Sequence, residues 1–159
     1  MLKKLAAGGA AVAIGASVWG IAGEDHTTRD ETGNIVQAGQ LGAFVTRVGD
    51  CFESLPVENG GVSTIPAVPC SQAHHWQVFY KGDISLTEYS DSGVEQASNI
   101  ICENALRDIG ENLPDAKLAE YANADFNLLS PSSQSWEKED RSVDCLIGSD
   151  IETYFTSFN

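Results

Sequence analysis

The sequence predicts a small α+β domain: a disulfide-stapled, mostly antiparallel sheet with one central helix and room for a second short one. Three observations lead there. Strand-like runs come first, a helix-period run sits mid-chain, and strand-like runs return, the order of a segregated α+β fold. Four cysteines, Cys51, Cys70, Cys102 and Cys145, are spread across that stretch. All four follow a single apolar N-terminal segment, and beyond a membrane thiols tend to become disulfides rather than metal ligands.

Lys3 and Lys4 precede an uncharged run from Leu5 to Ala22, the pattern of an export signal. Gly20 and Ala22 are the two small residues of a cleavage site before Gly23. The run is also about long enough to span a bilayer, though rich in Gly and Ala. Residues 1–22 are therefore a signal peptide or a membrane anchor, and both alternatives stand. In either case Glu24 onward lies outside the cytoplasm, on the cell membrane or secreted. No cysteine lies near the end of the run, which rules out a lipoprotein anchor.

The formal net charge is −14; without Lys3 and Lys4, 7 basic residues face 23 acidic ones, a net −16. Such a surface repels phosphate backbones and anionic headgroups. Nucleic acid is excluded as a partner, and a membrane enters only through residues 1–22.

Residues 23–42 are polar, acidic and Gly-containing, and read as a tether. The folded domain is expected over 43–159. Alternation of Phe44, Thr46 and Val48 suits a first strand ending at Gly49, and Val62 to Val68 a second. Pro66 and Pro69 would confine the second to an edge or an irregular stretch. Trp76 to Tyr80 is aromatic and β-branched, a strand composition. A helix follows, capped by Asp91 or Ser92, with Val94, Ala97, Ile101, Ala105 and Ile109 at helical spacing and Gly110 at its end. Pro114 opens a short second helix carrying Leu118 and Tyr121. Phe126 to Leu129 and Val143 to Ile147 read as late strands around a turn at Pro131 to Ser135. The tail from Ile151 brings Tyr154, Phe155 and Phe158 as a last edge element.

Four cysteines allow three pairings. Cys51–Cys70 and Cys102–Cys145 are favoured, joining the ends of neighbouring strands and stapling the central helix to a late strand. Loops of about 20 and about 45 residues correspond to roughly 3–4 kcal/mol each on the chain-entropy account. Zinc is the competing use, because Cys70, His74 and His75 lie close together. Structural zinc needs two clusters of closely spaced ligands, and the second is missing. No metal and no cofactor are expected.

Several segments resemble the actinobacterial septum formation domain family: RVGDCF (Arg47 to Phe52), VPCSQAHHWQVF (Val68 to Phe79), the helical Cys102, and PSSQSWEKEDRSVDCLI (Pro131 to Ile147). The resemblance covers Thr46 to Ile147 and implies an extracytoplasmic, often membrane-attached envelope protein. Two positions depart from the family pattern. Gln77 stands where an acid is usual after the His, and Glu139 where Gly often precedes Asp140.

The candidate binding residues are His74, Trp136, Asp140 and Arg141. His74 suits a pH-sensitive contact or a general base, but no orienting acid or nucleophile accompanies it, so a structural role is preferred. Trp136 is expected to pack on the core near Cys102 and Cys145, with Arg141 paired to Asp140 or another acid; the alternative is a partly exposed Trp136 that binds glycan or peptide. Glu137, Glu139, Asp140 and Asp144 crowd one segment without the order of an EF-hand loop, and read as a solvated acidic face. No catalytic motif is present, and no catalytic residue is assigned.

The expected function is a non-enzymatic binding or assembly module of the cell envelope, linked to septum formation. Its partner would be an envelope or cell-division protein, or wall material. A wall-active hydrolase using His74 and a secreted effector are the alternatives.

Overall fold

The computed structural model describes residues 11–14, 24–58 and 61–158. Strands β1 (Ala11–Ile14), β2 (Thr28–Arg29), β3 (Ile35–Gln37) and β4 (Gly39–Gly42) come first. They are followed by β5 (Cys51–Phe52), β6 (Gly61–Val62), β7 (Thr64–Val68) and β8 (Trp76–Asp83). Helices α1 (Asp91–Gly110) and α2 (Asp115–Glu120) lead to β9 (Asp125–Ser130), the short α3 (Ser133–Trp136) and β10 (Ser142–Gly148).

Eight strands form one sheet in the order β4-β7-β5-β8-β10-β9-β1-β6, and β2 and β3 form a separate hairpin. Only Ser63 separates β6 from β7, so the sheet curls until its two ends meet. All pairings in it are antiparallel except those of β1, which runs parallel to both β9 and β6.

Period-two alternation divides the core between the two faces of this sheet. Phe126, Leu128, Val143, Cys145 and Ile147 pack on one side with Val94, Cys102 and Leu106 of α1. Leu129 and Leu146 point the other way, to Leu41, Phe52, Val62, Ile65, Trp76 and Val78 inside the curl. Both disulfides form as favoured, Cys51–Cys70 and Cys102–Cys145. The second joins α1 to β10 across the first cluster.

The helix begins one residue earlier than its expected caps. Ser90 takes the position, its Oγ accepting the Gly93 N–H at 3.1 Å. Its most buried face is Val94, Ser98, Cys102, Ala105 and Leu106, with Ala97, Ile101 and Ile109 only partly covered. The apolar stripe is thus turned toward Cys102, because the disulfide to Cys145 pins that residue against the sheet.

Four expectations are corrected. Residues 44–48 form turns rather than a strand: Val45 N–H bonds back to Gly42, and Asp50 N–H to Arg47. Gly49 completes that turn with φ 96°, a left-handed backbone that favours glycine. The strand here is β4, just upstream.

The segment expected as a tether is built into the fold. Leu41 is fully buried, Asp25 bridges to it, and Arg29 makes a bidentate pair with Asp50 at 2.7 and 2.9 Å. A further Arg29 contact reaches Asp25 at 2.8 Å. Composition alone hid this, because polar residues with fixed partners look the same as solvated ones.

β7 is an interior strand, between β4 and β5. Pro66 is tolerated because its carbonyl faces the β5 side, accepting Glu53 N–H at 2.9 Å just past the end of that two-residue strand. Its missing donor removes the reciprocal bond to Glu53, and the β5–β7 ladder ends at the preceding pair, Phe52 and Ala67.

The expected turn at Pro131 to Ser135 winds into α3. Ser132 and Ser135 cap each other reciprocally, the capping-box arrangement.

The expected leader, residues 1–22, lies outside the described residues apart from Ala11–Ile14. Among the described residues no helix is long and apolar enough to cross a membrane.

Candidate functional site

His74 lies two residues before β8 and meets the C-terminal tail. Its main chain exchanges two hydrogen bonds with Tyr154, at 3.0 and 2.8 Å. The residue is 1% exposed, and its Nδ1 lies 2.9 Å from the Gln72 carbonyl oxygen. A carbonyl only accepts, so Nδ1 carries the proton. Nε2 is then a buried acceptor with no partner among the described residues. Burial lowers the ring's pKa, against the Gln72 carbonyl and Glu120, with His75 and Lys117 adding to the lowering.

The next three residues grip the same tail. His75 Nδ1 reaches the carbonyls of Ser149 and Glu152 at 3.0 and 2.8 Å. Trp76 donates its indole N–H to Asp150 at 2.9 Å. Gln77 donates through Nε2 to Ser157 Oγ at 2.8 Å and accepts the Phe158 main-chain N–H at 2.5 Å. Tyr154 stacks on Tyr121 with centroids 4.4 Å apart, and Phe158 meets Phe79 and Tyr121 edge-on. The expected last edge element is therefore a strap, joined to the sheet by a single bridge at His74. Its outer side carries Ile151 and Phe155, 91% and 61% exposed.

Trp136 is 7% exposed and packs in the same cluster as Cys102 and Cys145, as expected. The Arg141 guanidinium lies 3.5 Å from its ring centroid. Arg141 does not pair with the Asp140 carboxylate. It donates to the main-chain oxygens of Trp136 and Asp140 at 2.9 and 2.8 Å. Asp140 caps the start of β10 through Ser142 N–H, and its second oxygen is buried without a partner among the described residues.

The acidic face expected downstream is only partly solvated. Glu137 and Glu139 are exposed, but Asp144 is 3% exposed inside the curl. It pairs with Lys81 at 2.5 Å, its direct partner across the β8–β10 ladder, and accepts from Thr46 Oγ1. Lys81 also donates to Thr46 O and Oγ1 at 3.0 and 2.9 Å. Burial pushes the Asp144 carboxyl up, against the pull of the Lys81 ammonium. Among the described residues, no group of three or more His, Cys, Asp or Glu side chains is arranged to hold a metal ion.

The structure does not bring the sequence candidates together. His74 faces the tail, whereas Trp136, at the end of α3, meets Tyr89 and Arg141. A concavity of about 430 Å³ lies elsewhere, lined by Ile35, Val48, Val68 and Cys70 among others, and neither His74 nor Trp136 lines it. Sequence reading missed the Thr46–Lys81–Asp144 cluster, whose members are far apart in the chain. It noticed Gln77 only as a departure from a pattern.

A curled sheet stapled twice, with its tail clasped across one end, defines a disulfide-stabilised α+β domain. Residues 48–153 match the family described as septum formation. That is well over half of the chain, and the chain belongs to this family. Neither a curated protein nor a solved structure matches it.

Proposed function

We propose that this chain is an extracytoplasmic cell-envelope protein that binds or organises a division or wall-synthesis partner without catalysing a reaction. One observation carries the reading: the side chains that chemistry would recruit are already engaged in holding the domain together. His74 Nδ1 is bonded to the Gln72 carbonyl, Gln77 secures the tail, and Trp136 lies under Arg141. A general base needs access to a substrate proton, and at 1% exposure His74 offers little. The two disulfides and the apolar leader support the compartment, because such bridges persist under oxidising conditions. Membership of the septum formation family supports the link to division.

The test is native co-purification of the exported chain from its own envelope. Recovery of division or wall-synthesis proteins, unchanged by His74→Ala in a variant that stays folded, is the expected result. Turnover of purified wall material that disappears in His74→Ala would overturn the reading in favour of a hydrolase.

A further inference from the structure

The seam where the sheet closes is filled by an unusual strand. Between β9 and β6 lies Ala11–Ile14, four residues from the apolar run whose expected fates are cleavage or insertion in a membrane. Ala11, Val12 and Ala13 pair with Leu128, Leu129 and Ser130 on one side. Ala13 and Ile14 pair with Gly61 and Val62 on the other. Either fate withdraws these residues from the sheet and leaves the facing edges of β9 and β6 without a neighbour. Leu129 and Val62, the residues at those pair positions, are fully buried. An unpaired edge beside apolar side chains is a template for another strand.

We infer that this seam is a strand-acceptor site, filled in the exported protein by an extended segment of a partner that runs parallel to β9 and carries small apolar residues, as Ala-Val-Ala-Ile does. The inference rests on the proposed partner-binding role and gives it a location. Main-chain hydrogen bonds would supply affinity, and the alternating small side chains specificity. A second copy of this chain is the weaker occupant, because two surfaces that each carry a net charge near −16 repel.

The test uses the exported chain as recovered from its compartment, with its N-terminus determined by mass spectrometry. The probe is a synthetic peptide of residues 9–17, GAAVAIGAS. Saturating peptide is expected to slow amide exchange at Val62 and Ser130 at least tenfold and to raise Tm, since Gly61 N–H and Leu128 N–H are already bonded to Glu58 O and Asn127 Oδ1. The same peptide with Val12→Pro is expected to do neither, because proline removes a ladder donor. Amides of Val62 and Ser130 that are already protected without peptide, or that respond equally to both peptides, overturn the inference. So does concentration-dependent dimerisation that protects the same amides. If division proteins co-purify while the peptide has no effect, the binding role survives and the seam does not.

Discussion

The side-chain amide of Gln77 holds Phe158 in place: Oε1 accepts the Phe158 N–H at 2.5 Å while Nε2 donates to Ser157 Oγ at 2.8 Å. One fully buried side chain thus closes the C-terminal tail over the end of β8, and Phe158 is delivered into the aromatic cluster of Tyr121 and Tyr154.

Replacing Gln77 with Ala leaves the Phe158 N–H buried and unpaired. The expected loss is about 2–3 kcal/mol, the cost of an orphaned buried donor plus a small cavity. Amide exchange at 154–158 is expected to speed up before the rest of the domain opens. Gln77→Glu keeps the acceptor and is expected to preserve the strap near neutral pH; equal loss in both variants would contradict a clasp.

Acid should loosen the same strap through His74. The ring titrates below its ordinary value of 6.5 because burial disfavours the charged form. Below 6.5 the unfolded chain binds a proton that the native ring refuses. Stability is therefore full above 6.5 and declines as pH falls from there toward the lower native pKa. Asp144 acts in the opposite sense, since its raised pKa makes stability decline as pH rises through the acid range. The difference between wild type and His74→Gln cancels the Asp144 contribution. Chemical denaturation from pH 7.5 to 5 is expected to show a steeper decline for wild type than for the variant.

The Lys81–Asp144 pair predicts non-additive mutations. Lys81→Met leaves a buried carboxylate without its cation and is expected to cost about 3 kcal/mol. Asp144→Leu combined with Lys81→Met is expected to recover most of that loss, because both charges are gone. A double-mutant cycle on Tm or denaturant midpoint measures the coupling.

Among the described residues, Glu139 is the non-glycine residue with positive φ, at 67°. It sits just after α3, where its N–H bonds back to Trp136. The left-handed conformation costs a side-chain-bearing residue roughly 1–2 kcal/mol, while glycine loses roughly 0.5–1 kcal/mol more entropy on folding. Glu139→Gly is therefore expected to stabilise the domain by about 0.5 kcal/mol, read as a small rise in Tm.

Much of the fold was readable before the structure. The aromatic run at Trp76, the helical spacing from Val94 to Ile109 and both cysteine pairs arise from short-range pattern or from the order of elements. Other parts of the fold were not, among them three that depend on distant partners. The turn at 44–48 alternates like a strand, yet Thr46 is turned inward to Lys81 and Asp144. The polar stretch before β4 is held by Arg29 on Asp50, a pair separated by 21 positions. β7 reads as an edge strand or an irregular stretch because of Pro66 and Pro69, but the short β5 lets it sit inside the sheet.

The candidate site divides in the same way. His74 and Trp136 stand out as residue types, and the preference for structural roles agrees with their burial. Their partners could not be read, since Gln72, Tyr154 and the tail come to His74 only through folding.

Residue order alone established the acidic surface, the disulfide-stapled α+β class and the family, because charge, periodicity and cysteine spacing are carried in the linear chain. Folding in space settled which polar groups are buried against which partners, that the tail is clasped by Gln77, and that the sheet closes through a strand from the apolar run. Those outcomes depend on hydrogen bonds and burial between distant positions, whose energies no local stretch contains.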